Sequence, residues 1–305
     1  MPARPRPLRI LPLGDSLTRG VGSSDVAGYR KRLYASLTAA GVAVDFVGSQ
    51  NTGAGFDNDH EGHPGWRIDQ IDAQTARWVR ATDPDIVLLD AGTNDYVQKH
   101  DVARAPARLA KLVDRIIMLA PHAEIVLARL LVIEGDRRAA GVRALNAAIP
   151  GIAAARRGHV TVADMSRIPV ANTVDGVHPT DAGYRQMAYQ WFQALRKAVP
   201  GGPSWRPVAD PFPVPVVRVR AARSGATVTV TARLTGVLTP VDLGNVTVRL
   251  QVRRAGTDTW SGLGTARTDR NGVIHVSRRI PATGYVTATV LAGRGAGHSS
   301  GPVRV

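Results

Sequence analysis

Cysteine is absent from the 305 residues. That absence excludes a disulfide scaffold, a thiolate zinc site, a thiol nucleophile and an iron–sulfur cluster. Lysine is almost absent as well: of 39 basic side chains, 4 are lysine and 35 are arginine. Aromatic residues make up only 5% of the chain. No run approaches the roughly 18 apolar residues that a membrane span requires. The longest candidate, residues 125–133, is broken by Arg129. The opening MPARPRPLRILPLGDS shows neither an apolar region of about 7–15 residues nor a small-residue cleavage site, so no signal peptide is visible. The G-x-x-x-x-G-K-[ST] loop and the G-x-G-x-x-G fingerprint are missing, and the G-x-S-x-G pattern occurs only at residues 297–301, outside the part that alternates strand and helix. The α/β-hydrolase, P-loop and dinucleotide-binding readings fall away with them.

What is present is ordinary for a globular protein, with 44% hydrophobic and 21% charged residues. The net charge of +15 raises the question of nucleic acid. Residues 1–200 carry 25 basic and 20 acidic groups, whereas residues 201–305 carry 14 arginines and 4 aspartates. The arginines are scattered, and few aromatics lie among them for base stacking. Nucleic acid is therefore not the expected partner. An anionic surface, such as a cell wall or acidic polysaccharide, suits the arginine-rich C-terminal part better.

The length suggests two domains. Short apolar runs at residues 8–13, 43–48, 85–89, 124–130 and 160–163 alternate with segments of helical spacing. Ile68, Ile71, Thr75, Trp78 and Val79 share one helical face, as do Leu109, Leu112, Val113, Ile116 and Ile117. A last helix over 184–199 is stopped by Pro200-Gly201-Gly202. The pattern predicts an α/β domain over 1–199, a five-stranded parallel flavodoxin-like sheet with helices on both faces. Prolines crowd residues 200–215, a stiff linker. Residues 216–305 alternate with period two between turn-formers such as Asp269-Arg270-Asn271-Gly272. They predict an all-β sandwich, immunoglobulin-like in texture. Its aromatics are Trp260 and Tyr285, too few for the exposed strip of a carbohydrate-binding module; one of them is expected in the core.

Three short segments carry chemistry. Gly14-Asp15-Ser16-Leu17-Thr18 follows the first strand and presents a hydroxyl at the sheet edge beside a helix start. Gly92-Thr93-Asn94-Asp95 ends the third strand and brings a side-chain amide to the same edge. With strand order 2-1-3-4-5, both flank the topological switch point, where open α/β sheets bind ligands. Near the domain's end, Asp175-Gly176-Val177-His178-Pro179 puts a carboxylate three residues before a histidine that it can orient. Singly, each reads equally well as a turn or a helix cap. Their order and spacing within one domain make them a set.

GDSLT, GHPGWRI, GTND and DGVHP resemble, in that order, the four sequence blocks of the SGNH/GDSL hydrolase superfamily. ILPLGDSLT, FVGSQ, NDHEGHPGW, PDIVLLDAGTND and DGVHPTDAGY look more narrowly like carbohydrate esterase family 3, the acetylxylan-esterase-like branch. The resemblance covers about residues 8–198. It implies that Ser16 is the nucleophile, His178 the general base and Asp175 the carboxylate orienting it. It also implies an oxyanion hole built from the Ser16 N–H, the Gly65 N–H and the Asn94 side chain. No cofactor and no metal are required. The expected substrate is a short acyl ester, an acetylated polysaccharide such as acetylated xylan. A lipase, arylesterase or thioesterase of the same superfamily is the alternative, and an inactive surface-binding protein a distant one. The likeness to polysaccharide esterases suggests an extracellular location.

Asp15, Trp66 and Tyr96 are candidates to line the substrate groove, and Tyr29 is a further aromatic near the blocks. Asp57, Asp59, His60, Glu61 and His63 crowd into seven residues, but their spacing fits no H-E-x-x-H helix and no EF-hand loop. A polar loop lining the groove is the expected reading.

Overall fold

The computed structural model describes residues 6–133, 136–209, 211, 216–235, 246–257, 259–269, 272–280, 283–291, 300 and 302–305, without the side chains of 136–138, 216 and 235. The chain divides into two compact units, Met1–Pro211 and Phe212–Val305. The division falls within the proline-rich segment, of which residues 210 and 212–215 lie outside the described residues. Residues 202–205 pack against the helix Asp181–Ala198 within the first unit. Arg196 donates to the Gly202 and Pro203 carbonyls, and Trp205 packs 6.0 Å from Phe192.

The first unit runs β1 (Leu8–Gly14), α1 (Ser16–Arg19), α2 (Gly28–Ala39), β2 (Val44–Phe46), β3 (Gln50–Asn51), β4 (Asp59–Gly62) and α3 (Ile68–Thr82). It continues with β5 (Ile86–Asp90), α4 (Thr93–Val97), α5 (Ala105–Leu119), β6 (Glu124–Arg129), α6 (Asp136–Ala154), β7 (Val160–Asp164) and α7 (Asp181–Ala198). The strands β2, β1, β5, β6 and β7 pair in that order and in parallel, the expected 2-1-3-4-5 arrangement. Helix α2 packs on α7, and α3 and α6 pack on α5, giving two helical layers. Side chains of β1, β5 and β6 are buried on both sides, including Ile10, Leu11, Val87, Leu88, Val126 and Leu127. That explains why these strands read as unbroken apolar runs.

The sheet has seven strands, not five. The last β2 partner is Phe46, opposite Ile10, so the C-terminal half of β1 would have a bare edge there. Buried backbone groups must find partners. Strand β4 supplies them, with Leu13 opposite Glu61 and Gly14 opposite Gly62, and β3 adds antiparallel to β4. The sequence of β4, Asp-His-Glu-Gly, has neither apolar run nor alternation. It is a strand because of its neighbour, and it delivers the chain to the residues that follow Gly62.

The second unit comprises β8 (Val216–Ser224), β9 (Thr227–Thr235), β10 (Thr247–Arg254), β11 (Ser261–Arg267), β12 (Val273–Arg279), β13 (Gly284–Val290) and β14 (Val303–Arg304). Two antiparallel sheets, β12-β9-β8 and β11-β10-β13-β14, share one core. Alternate residues Val228, Val230, Ala232 and Leu234 meet Val248, Leu250, Val286, Ala288 and Val290 there, as period-two strands require. Of the turn at 269–272, Arg270 and Asn271 lie outside the described residues. Neither Trp260 nor Tyr285 joins this core, contrary to expectation. The Arg253 guanidinium lies 5.5 Å from one ring and 5.1 Å from the other; an edge position lets a long cation cover both rings while the small β-branched residues fill the interior.

Candidate active site

The site assembles at the C-terminal ends of β1 and β5. Gly14, at the end of β1, has no room for a side chain, since a Cβ would collide with the Asp90 carbonyl and the Thr18 hydroxyl. Asp15 then caps α1, its Oδ1 accepting the Leu17 N–H at 2.9 Å. This places Ser16 as the first helical residue, 6% exposed. Its own N–H has no acceptor among the described residues.

His178 comes from the loop ahead of α7. Its Nε2 lies 3.0 Å from Ser16 Oγ, and its Nδ1 lies 2.6 Å from Asp175 Oδ2. The other Asp175 oxygen accepts the backbone N–H groups of Val177 and His178, at 3.0 and 2.7 Å. Burial pushes the Asp175 pKa up, but the His178 backbone and ring bonds and the Val177 bond outweigh it and hold the carboxyl below its usual value. The loop is braced from the other side by Gly22, with φ of +95°, where a Cβ would press on His178 and the Pro179 carbonyl.

After β4, His63-Pro64-Gly65-Trp66 closes as a turn, Trp66 N–H donating to the His63 carbonyl at 3.1 Å. Proline in second position and a glycine of φ +79° in third are the marks of a type II turn. Gly65 is exposed, and no described residue accepts its N–H. Asn94 Nδ2 sits between two acceptors, Asp15 Oδ2 and the Trp66 carbonyl, each at 3.0 Å. Both amide hydrogens are thus engaged. Asp15 holds one of them, and the other is shared with the turn.

Of the groove candidates, only Trp66 is partly exposed, its ring stacked 4.4 Å from His63. Asp15 is fully buried and Tyr96 5% exposed. Asp15 points inward because its two oxygens cap α1 and hold Asn94. Tyr96 is turned under α6, where its ring occupies the space a Cβ on Gly141 would need. Tyr29 is also fully buried, 5.6 Å from Trp191. The polar cluster of residues 57–63 does not converge on one point: among the described residues no three such groups could hold a metal ion. Asp57 accepts the Phe46 N–H, Glu61 bridges Ser49 N–H and His63 Nε2, and His60 bonds Thr52 and the Gly62 N–H. Burial, with help from Arg30, pushes the His60 pKa down to about 3, so it is neutral.

Two buried charges lie beneath the site. Arg30, fully buried, donates to the carbonyls of Thr18, Arg19, Thr52 and Asn58. It ties the end of the Ser16 helix to the segment leading into β4. The sequence held a faint signal for it, since Arg30 shares a helical face with the buried Leu33 and Leu37. Burial also pushes Asp15 up to about 6, against the Leu17 hydrogen bond. Asp90, buried beside it with both oxygens unpartnered, is driven well above the carboxylate range, first by burial and then by Asp15.

Asp15 therefore trades stability for geometry. Relative to an open-chain value of 3.8, a folded value of about 6 means that ionising it costs up to about 3 kcal/mol. The folded state binds this proton more tightly than the unfolded state does. Its contribution to stability is therefore present at low pH and lost as pH rises from about 4 to about 6. Asp15→Asn is expected to remove that slope in denaturant unfolding measured across this range. It also sets an amide donor against the Asn94 donor, turning Asn94 aside, and should lower kcat by about 10–100-fold. An unchanged unfolding slope would show that Asp15 is not the buried acid.

A doubly wound α/β unit with hydroxyl, imidazole and carboxylate in series at its strand ends has the architecture of an acyl-transferring hydrolase. The chain belongs to the GDSL-like lipase/acylhydrolase family, whose profile matches residues 13–186. A Clostridium thermocellum family 3 carbohydrate esterase is 32% identical with a TM-score of 0.58, over 63% of this chain and 96% of its own. An acetyl esterase mutant solved with acetate ion is 28% identical with a TM-score of 0.55, over 63% of this chain and 100% of its own. A multidomain esterase of Ruminococcus flavefaciens is 28% identical over 220 residues, 62% of this chain and 28% of that protein. This chain thus spans little more than a quarter of that relative's length. Family membership places the first unit among the carboxylic ester hydrolases.

Proposed function

We propose that the protein is a serine esterase that removes acetyl groups from a polysaccharide such as acetylated xylan. The observation that carries the reading is the unbroken series Asp175 Oδ2–His178 Nδ1 and His178 Nε2–Ser16 Oγ, at 2.6 and 3.0 Å. A serine hydroxyl attacks an ester only if a base takes its proton, and a neutral imidazole does so near pH 7. Asp175 holds the His178 proton on Nδ1, leaving the Nε2 lone pair for Ser16. Attack forms a bond from Oγ to the acyl carbon and moves the carbonyl π electrons onto oxygen. The Ser16 and Gly65 N–H groups and the Asn94 amide hydrogen now given to Trp66 are the donors for that charge. Collapse of the adduct breaks the bond from the acyl carbon to the sugar oxygen, which leaves with the proton from His178, and water then repeats the sequence to release acetate. Each oxyanion donor contributes about 100–1000-fold in rate.

The acetyl preference rests on the likeness to the carbohydrate esterase and acetyl esterase structures. A polymeric substrate implies that the enzyme acts outside the cell. In the same reading residues 1–199 are the catalytic domain, 200–215 the linker, and 216–305 an immunoglobulin-like β-sandwich, a spacer or an attachment module whose arginines suit an anionic surface. The test is hydrolysis of p-nitrophenyl acetate against p-nitrophenyl octanoate, followed by acetate release from acetylated xylan. Acetate is expected to be favoured at least about tenfold in kcat/KM, a difference of roughly 1.4 kcal/mol in the barrier. A preference for octanoate would replace the carbohydrate reading with that of a lipase. No turnover on either ester would leave a surface-binding protein.

A further inference from the structure

The exposed side chain of Gln98 lies outside the three segments that carry the series above, yet it is bonded into the site. Its Nε2 donates to the Gly65 carbonyl at 2.6 Å. Its Oε1 accepts from Arg67 Nη1 at 2.7 Å. Arg67 is itself fixed, its Nε and Nη2 paired with the two oxygens of Asp69 at 3.0 and 3.1 Å. The Gln98 backbone is anchored too, its N–H donating to the Asn94 carbonyl at 2.9 Å as the cap of α4. This network fixes which end of the amide faces which partner, because only a donor can meet the Gly65 oxygen and only an acceptor can meet Arg67.

Asn94 and Gln98 are four residues apart, one helical turn. Their side-chain amides reach consecutive carbonyls of the same turn: Asn94 takes Trp66 O and Gln98 takes Gly65 O. The peptide that joins Gly65 to Trp66 is therefore pinned at both ends, its oxygen by Gln98 and its N–H by the His63 carbonyl. The preceding peptide carries the Gly65 N–H. Its remaining freedom is small, since the Pro64 ring fixes φ on one side. Glycine on the other side has no steric preference of its own to hold φ at +79°. With the Gly65 carbonyl released, that residue can rotate and swing its N–H out of line.

We infer that Gln98 is a positioning residue for the oxyanion hole: it clamps the Gly65 carbonyl so that the Gly65 N–H stays aimed at the charge forming on the substrate. The inference rests on the assignment of Gly65 as a donor in the proposed esterase. Gln98 bonds none of Ser16, His178 and Asp175, and acts through the turn. One hydrogen bond in water-exposed surroundings is modest, so the effect is smaller than loss of a donor outright.

The experiment compares wild type, Gln98→Met and Gln98→Glu on p-nitrophenyl acetate, with Ser16→Ala as the blank. Gln98→Met keeps length without the amide and should lower kcat about 3–10-fold with KM within about twofold. Gln98→Glu keeps the acceptor for Arg67 but sets a carboxylate oxygen against the Gly65 carbonyl. It should fall below Gln98→Met near pH 8, where a glutamate with an ordinary pKa of about 4.3 is ionised, each rate taken relative to wild type at the same pH. A merely structural surface residue would tolerate glutamate better than methionine, the opposite order. Methylboronic acid, which forms a tetrahedral adduct on a serine oxygen, should bind both variants more weakly in proportion to kcat. Acetate affinity should be unchanged. Because the side chain is exposed, thermal midpoints should agree within a few degrees. Equal kcat in all three proteins, or losses in acetate and boronate binding alike, would overturn the inference. Activity independent of Ser16 would instead overturn the esterase reading beneath it.

Discussion

Replacing Ser16 with alanine is expected to lower kcat by about 10⁶-fold and to leave the protein folded. The magnitude follows from treating nucleophile and base as one unit, since losing either disables both. With Oγ removed, His178 Nε2 loses its 3.0 Å partner and the acyl carbon loses the atom that would bond to it. In the proposed mechanism neither Asn94 nor the two backbone donors can substitute. They lower the barrier only for an attack that some nucleophile makes, which leaves a residual rate of about 10³–10⁴-fold over water. The fold should tolerate the change because alanine suits a helix start and Ser16 Oγ bonds nothing else among the described residues. Asp15 still caps α1 through Leu17, and Arg30 still holds the carbonyls of Thr18 and Arg19. Steady-state hydrolysis of p-nitrophenyl acetate and a thermal unfolding curve on the same sample check both halves. Turnover within about 100-fold of wild type would remove Ser16 from the mechanism.

The contrast between Ser16 and Gln98 shows what a sequence can and cannot disclose here. Ser16 and Asn94 sit at the ends of strands that announce themselves, an apolar run and then glycine and polar residues, and His178 lies just ahead of the last helix. The apolar runs give the parallel strands, most plainly β1, β5 and β6, because burial on both faces selects apolar residues at successive positions. Helix α3 is equally plain, with Ile68, Ile71, Thr75, Trp78 and Val79 all buried as their spacing demands. Strand β4 escapes notice because it is made by pairing with β1, and hydrogen bonding through the backbone leaves no mark on side-chain type. The same blindness hides Gln98 and Arg30, whose partners are main-chain carbonyls that every residue possesses. Asp15 and Tyr96 fail in the other direction. Chain proximity to Ser16 and Asn94 suggests a groove, but adjacent residues leave a helix start on different sides. These two point into the core, Asp15 to hold Asn94 and Tyr96 to pack against Gly141.

The second large effect is expected from Asp175→Asn, a change that adds no volume and keeps one hydrogen bond in place. Asp175 uses its oxygens differently: Oδ1 accepts two backbone N–H groups, from Val177 and His178, while Oδ2 faces the ring at Nδ1. In asparagine the oxygen must stay with the two backbone donors, because an NH₂ placed there would meet them donor to donor. The NH₂ is then left facing Nδ1, where it needs an acceptor. His178 can satisfy it only by moving its proton from Nδ1 to Nε2, and an Nε2 that carries a proton cannot take one from Ser16. The substitution therefore inverts the tautomer while leaving every heavy atom near its place. A loss of about 10⁴-fold in kcat is expected, with KM little changed because no substrate contact is touched. Asp175 is half-exposed, so the fold should not suffer. Asp175→Ala, which imposes no tautomer, should lose less than Asp175→Asn at neutral pH. If the two variants lose equally, Asp175 acts through its charge alone, and the orienting role assigned to it fails.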